Sequence, residues 1–106
     1  MLLLCYAIHT LLQVTPMLST VIFTDGAQKN VEPSNGTDFS LEELRGFVGG
    51  HIELVRLSKS QVMVVNEEGK VYDLPQNENA TMLVNIAGIR DVIVGNVLVC
   101  DINKIK

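Results

Sequence analysis

The chain has no tryptophan, and its aromatic residues are three phenylalanines and two tyrosines. A core built from these 106 residues must therefore be aliphatic. Basic residues are also few and scattered: eight lysines and arginines face twelve acidic residues, for a net charge of −4. Because no basic stripe is present to neutralise phosphates, the sequence argues against nucleic acid as a partner. The length allows one domain, and a hydrophobic content of 47% is that of a folded globular chain.

Cysteine is scarce as well. The two cysteines, Cys5 and Cys100, are too few for the disulfide framework of a small secreted domain. No Cys-x-x-Cys or His-x-x-x-His spacing occurs, so we expect no metal site and no cofactor. Cys100 ends an apolar run and is interpreted as a buried thiol.

No charged residue precedes Asp25, and residues 1–16, MLLLCYAIHTLLQVTP, are largely apolar. They lack the basic start and the small-residue cleavage site of a signal peptide. Pro16 also interrupts the run before it reaches the ~20 residues of a membrane span. We interpret residues 1–16 as an extension or a mis-called start before a single domain, residues 17–106. A secretion signal or anchor and an integral helix are the alternatives; otherwise we expect a cytoplasmic protein of a bacterial host with no membrane contact.

Capping signals delimit the first predicted helix. Ser40 and Glu43 form a capping box, in which each side chain satisfies a free amide of the first turn. Gly49-Gly50 ends the helix, because glycine enters the left-handed conformation without penalty. The predicted apolar face consists of Leu41, Leu44 and Val48.

A second helix is predicted over Thr81–Ala87, capped by Asn77 or Asn79 and ended by Gly88. Its inward-facing residues, on this prediction, are Met82, Leu83 and Ile86.

Six runs predict strands separated by turns; most are rich in β-branched and aliphatic residues, while the second is a short, polar return strand that Pro33 ends. They are Val21–Asp25, Gln28–Glu32, Ile52–Leu57, Gln61–Val65, Lys70–Leu74 and Val92–Cys100. The last run is nearly all apolar, which is typical of a central strand covered on both faces. Gly95-Asn96 within it predicts a bulge or a close backbone approach. The order is therefore ββαβββαβ, an α+β domain with a mainly antiparallel sheet and two short helices.

Several of these segments together resemble a known family. The segments are Gly49-Gly50-His51-Ile52-Glu53, Asn66-Glu67-Glu68-Gly69-Lys70, Leu74-Pro75-x-Asn77, Ala80-Thr81 and Asp91-x-Ile93-Val94-Gly95. In this order they resemble small bacterial proteins catalogued only as a domain of unknown function, found in phages, conjugative elements and gut anaerobes. The resemblance covers about Leu18 to Asp101. It implies a phage or mobile-element setting, in regulation or in countering host defence, and it supplies no catalytic residues.

Candidate chemistry is sparse. Glu67 and Glu68 could bind a metal or act as an acid–base pair, but Asn66–Gly69 also predicts a plain hairpin loop with its glycine in the left-handed conformation. His51 has no partner at a fixed spacing. The sequence therefore contains no catalytic constellation that we can assign.

Polar groups at the start of the second helix exceed what capping requires. Asn77, Asn79 and Thr81 lie there, and Arg90 follows nearby. Since a helix start presents free amides and partial positive charge, these four residues predict a ligand-binding face, placed at a homodimer seam.

We therefore expect a non-enzymatic binding module whose target is a host protein or a small polar, nucleotide-like ligand. One alternative is a small hydrolase or transferase that uses Glu67, Glu68 or His51. A second alternative is a nucleic-acid-associated regulator.

Overall fold

The computed structural model describes residues 18–105 as a five-stranded antiparallel sheet with one α-helix against each face. The elements are β1 (Ser19–Ile22), β2 (Gln28–Val31), α1 (Leu41–Val48), β3 (Ile52–Arg56), β4 (Gln61–Asn66), α2 (Glu78–Ile86), β5 (Val97–Asp101) and a 3₁₀ helix (Ile102–Lys104). The strand order is β2-β1-β5-β4-β3, with every neighbouring pair antiparallel. The predicted α+β class is confirmed. Within the described residues no helix is both long and apolar enough to cross a membrane.

The buried side chains form two clusters on opposite faces of the sheet, because successive strand residues point to opposite sides. The cluster under α1 includes Leu44, Val48, Val62, Val64, Leu98 and Cys100. The cluster under α2 includes Ala80, Val84, Met63, Val65, Ile93 and Val97. β5 lies in the middle of the sheet and contributes to both clusters. The predicted central strand, covered on both faces, is therefore confirmed.

The strand predicted at Lys70–Leu74 is wrong, since this segment forms a series of turns. The Asn66 side chain accepts the Glu68 N–H at 2.8 Å, which bends the chain as it leaves β4. The Leu74 N–H then donates to the Gly69 carbonyl at 3.0 Å, which closes a further turn. The described sheet has five strands instead of six, in the order ββαββαβ.

The hairpin loop predicted for Asn66–Gly69 is also wrong, because no return strand follows it. Gly69 does not have the predicted positive φ; among non-glycine residues Asp73 has it, at 55°. Gly69 is instead packed so closely that a Cβ there would lie 2.8 Å from Cγ2 of Val94. The need for glycine is steric.

Gly95 shows the close approach that the sequence predicts. Its φ is +78°, and a Cβ on it would lie 2.9 Å from Cδ1 of Leu74. The Gly95 N–H donates to the Pro75 carbonyl at 2.8 Å. Because of this contact with residues outside the sheet, β5 begins at Val97 and not at Val92.

The capping box of α1 is confirmed. The Glu43 N–H donates to Ser40 Oγ at 3.1 Å, and the Ser40 N–H donates to the Glu43 carboxylate at 3.0 Å. The second carboxylate oxygen of Glu43 accepts the Ser34 N–H at 3.0 Å. Gly49 ends the helix with φ at 82°. Leu44 and Val48 are buried as predicted, but Leu41 is about half exposed and lies outside the core.

Four glycine-to-alanine substitutions separate backbone strain from crowding. We expect Gly46→Ala to stabilise the fold by about 0.5–1 kcal/mol, because Gly46 lies inside α1 with open space around it. Gly36→Ala meets no neighbour but has φ at +79°, so it should cost about 1–2 kcal/mol. Gly69→Ala brings crowding without a positive φ, at about 1–3 kcal/mol, and Gly95→Ala combines both effects. Urea denaturation measures the unfolding free energy of each variant. A larger loss for Gly36→Ala than for Gly95→Ala would contradict these expectations.

The capping box should also make stability depend on pH. The Ser40 main-chain N–H, and then that of Ser34, hold the pKa of the Glu43 carboxyl below its usual value of 4.5. Because the folded-state pKa is the lower one, this contribution is complete above about pH 4.5 and is lost as the pH falls through the folded-state pKa. We expect Glu43→Gln to reduce the loss of unfolding free energy between about pH 6 and pH 3. Glu42→Gln, which removes the same charge one residue away, is the control, and equal pH slopes for both variants would refute the assignment.

Candidate functional site

Asn77, the first residue of the predicted ligand-binding face, is wholly buried. Its side-chain oxygen accepts the Ala80 N–H at 3.0 Å and caps α2. Its side-chain NH₂ donates to the Ile22 carbonyl at 3.0 Å and to the Gly95 carbonyl at 2.9 Å. Both amide hydrogens are therefore used inside the fold. The ligand-binding role stays a prediction that this geometry does not favour.

Of the other three predicted residues, Asn79 lines the same cavity as Asn77, and Thr81 lies one turn further along α2, whereas Arg90 is remote. Thr81 Oγ1 accepts the Ile93 N–H at 2.9 Å and so holds the chain before β5. Asn79 is half-buried beside the turn between β1 and β2, where it lines a cavity of about 150 Å³. Arg90 is exposed and follows the opposite end of α2, about 13 Å away along a nine-residue helix. Of the four predicted residues, Asn77 and Thr81 therefore use their side chains in structural bonds.

The residues of the predicted catalytic alternatives are neighbours but form no catalytic arrangement in the described structure. The Glu67 N–H donates to the His51 carbonyl at 2.8 Å, so these residues lie opposite each other beyond β3 and β4. Among residues 18–105, however, their side chains exchange no hydrogen bond, and Glu68 lies in the next turn. No group of three His, Cys, Asp or Glu residues in this part of the chain could hold a metal ion.

The Cys100 thiol is buried, as predicted. Burial raises its pKa to about 11; the Asp101 carboxylate adds to the rise, and Lys104 opposes it. The thiol therefore stays protonated near neutral pH and is a core group instead of a nucleophile.

A second cavity lies beside β3, but it is small. Its volume is about 130 Å³, below the roughly 300–1,000 Å³ of typical ligand pockets. Lys70 and Asp91 line it, with Lys70 Nζ 2.6 Å from the Asp91 carboxylate. This hydrogen bond lowers the pKa of Asp91, and the Val92 N–H adds to the effect. Both side chains are well exposed, so the pair is a surface ion pair with little effect on stability.

The outward side of α2 is the feature that sequence reasoning missed. Met82, Leu83 and Ile86 were predicted to face inward, but they are 60%, 36% and 76% exposed. The buried residues are Ala80 and Val84. Both sets have helical spacing, so the periodicity could not distinguish the inner face from the outer one. We call Met82, Leu83 and Ile86 the α2 outer face.

This face carries no charge. From Asn79 to Ile89 the sequence contains no Asp, Glu, Lys or Arg; Glu78 and Arg90 flank the stretch. A helix on a protein surface normally turns charged or polar residues outward. An exposed apolar surface with a charged rim is typical of an interaction site.

Comparison with protein families supplies one match. A family model described as "Domain of unknown function (DUF3846)" matches residues 19–105. The chain belongs to this family. Comparisons with curated proteins and with solved structures find no match.

The DUF3846 match runs from the first residue of β1 to the residue after the 3₁₀ helix, so it covers the whole described fold. The resemblance to an uncharacterised family is confirmed by this match. The structure adds that Asn77 is buried and hydrogen-bonded inside the DUF3846 domain, whereas Met82 and Ile86 are exposed.

Asn77→Ala should strongly destabilise this DUF3846 domain. It removes a helix cap, at about 0.5–2 kcal/mol, and leaves two main-chain carbonyls without donors, at about 1–3 kcal/mol each. We expect urea denaturation to show a total loss of at least about 2.5 kcal/mol, the sum of the lower limits of these contributions. Asn79→Ala is the control, with a change of about 0.5 kcal/mol or less because Asn79 makes no such bonds. Equal stability of the two variants would show that Asn77 has no structural role.

Proposed function

We propose that this DUF3846 domain is a non-enzymatic protein-binding module that acts through the α2 outer face. The observation that carries the proposal is the exposure of Met82 and Ile86, at 60% and 76%, on a helix whose other side is fully packed. The fold does not need these two side chains for its own core. Their exposure to water is therefore a cost that binding of a partner would remove.

The chemistry of the face favours a protein with an apolar surface. Met82 and Ile86 are four residues apart, so they lie side by side on successive turns. The methionine side chain is flexible and adapts to an irregular partner surface. Since Glu78 and Arg90 lie only at the two ends, docking would bury apolar side chains while the charges stay at a solvated rim.

Other target classes have less support. The cavities near Asn79 and beside β3 are too small for a nucleotide-like ligand, and the larger hollow at residues 56–59, about 370 Å³, is an open surface and not an enclosed pocket. The α2 outer face contains no cation to contact phosphates, and the chain is acidic overall. The phage or mobile-element setting implied by the motif resemblance makes a host protein the proposed partner, in regulation or in countering host defence.

A double substitution tests the proposal. Met82→Glu with Ile86→Glu should leave the unfolding free energy within about 0.5 kcal/mol, because both side chains are already exposed. The same variant should reduce binding of a captured host protein at least tenfold. The measurement is quantitative mass spectrometry of proteins retained from bacterial host lysate by the immobilised full chain, followed by titration with the purified partner.

The turn after β4 supplies a matched control. Val71 and Tyr72 are also exposed apolar residues, so Val71→Glu with Tyr72→Glu makes the same chemical change elsewhere. This control should bind as the parent protein does. Equal loss in both double variants would show that binding does not depend on the α2 outer face. Retention of no host protein by the parent chain would also count against the proposal.

A further inference from the structure

β3 lies at one edge of the sheet with main-chain groups directed away from its neighbour. At one end of β3, the Glu67 N–H donates to the His51 carbonyl at 2.8 Å. At the other end, the Leu57 N–H donates to the Gln61 carbonyl at 3.0 Å. Since bonded residues alternate along an antiparallel pair, every second residue between these ends directs its N–H and C=O to the free side. These residues are Ile52, Leu54 and Arg56.

The two edges of the sheet differ in chemistry. β2, at the opposite edge, has only four residues, and its Gln28, Lys29 and Asn30 are exposed. A short, polar edge with a lysine is a common protection against further pairing. β3 has five residues; its charged Glu53 and Arg56 are exposed, and its middle residue, Leu54, is 47% exposed. β3 is therefore the longer edge and the one with an exposed apolar residue at its middle.

We propose that β3 pairs with β3 of a second copy of this chain, in antiparallel orientation, to form one continuous ten-stranded sheet. Leu54 lies at the twofold axis, opposite Leu54 of the second copy. Ile52 lies opposite Arg56 of the second copy, so all three residues with free main-chain groups are paired. Each of these pairs exchanges two main-chain hydrogen bonds.

Charge and hydrogen bonding select this register. Hydrogen bonding requires the free-side residues to face one another, so the axis can move only in steps of one residue. An axis at Glu53 would set two carboxylates directly opposite each other, which is destabilising. An axis at Val55 would leave Ile52 without a strand residue to pair with. The axis at Leu54 uses the whole strand and covers its exposed leucine.

This interface is separate from the α2 outer face, since neither Met82 nor Ile86 belongs to β3. It is also limited to a single strand on each side. An interface of this size belongs to the small, weak class, so we expect a reversible dimer that forms with increasing protein concentration.

Sedimentation equilibrium of the full chain, from micromolar to near-millimolar concentration, tests the dimer. We expect reversible dimerisation of the parent protein and at least tenfold weaker association for Leu54→Lys, which places two like charges opposite each other. Gln28→Lys adds the same charge to the β2 edge and should leave association unchanged. A parent protein that stays monomeric throughout, or a Leu54→Lys variant that associates as the parent does, would overturn the proposal.

Disulfide trapping tests the register and does not depend on the folding of Leu54→Lys. In a Cys5→Ser background, Leu54→Cys should form a disulfide-linked dimer on mild oxidation, because Cα atoms in a hydrogen-bonded pair lie about 5.5 Å apart. Val55→Cys should not, since its counterpart lies diagonally, at roughly 7–8 Å. Faster trapping at Val55, or none at Leu54, would contradict the proposed pairing. Adding Met82→Glu and Ile86→Glu to the Leu54→Cys variant should leave its trapping unchanged, which separates this test from that of the proposed function.

Discussion

The packing of the second helix depends on one buried side chain. Asn77 caps α2 through its oxygen and joins the helix to the end of β1 and to Gly95 through its two amide hydrogens. These bonds fix where α2 begins on the sheet. Thr81 adds a bond to Ile93 one turn later and fixes the direction of the helix. The cluster of Met63, Val65 and Val97 on this face is covered because the helix is held there.

Holding α2 in this way determines which of its two apolar sides meets the sheet. The side that begins with the small Ala80 and continues with Val84 comes close and is fully buried. Met82 and Ile86 must then point to water, although they are the more bulky pair. The exposed apolar surface is thus a consequence of the position of the cap. The sequence retains apolar residues there even though packing does not require them.

Local signals in the sequence were sufficient for much of the fold. The capping box at Ser40 and Glu43 and the glycine stop at Gly49 act within one helix, so both could be predicted. The apolar β5 was identified as central because burial on both faces removes the usual alternation. The segment Lys70–Leu74 contains Val71 and Tyr72, which favour strands, yet bonds within the turns that follow Asn66 override this preference.

The candidate site was harder to predict, because its determinants are distant in the sequence. Asn77 and Ile22 are 55 residues apart, and the sequence alone cannot show that this amide is already used. Because of this bond, the buried polar group at the start of α2 stabilises the fold and is not left for a ligand. Polar residues there hold the molecule together, and the association that we propose uses apolar side chains on α2 and main-chain groups along β3 instead.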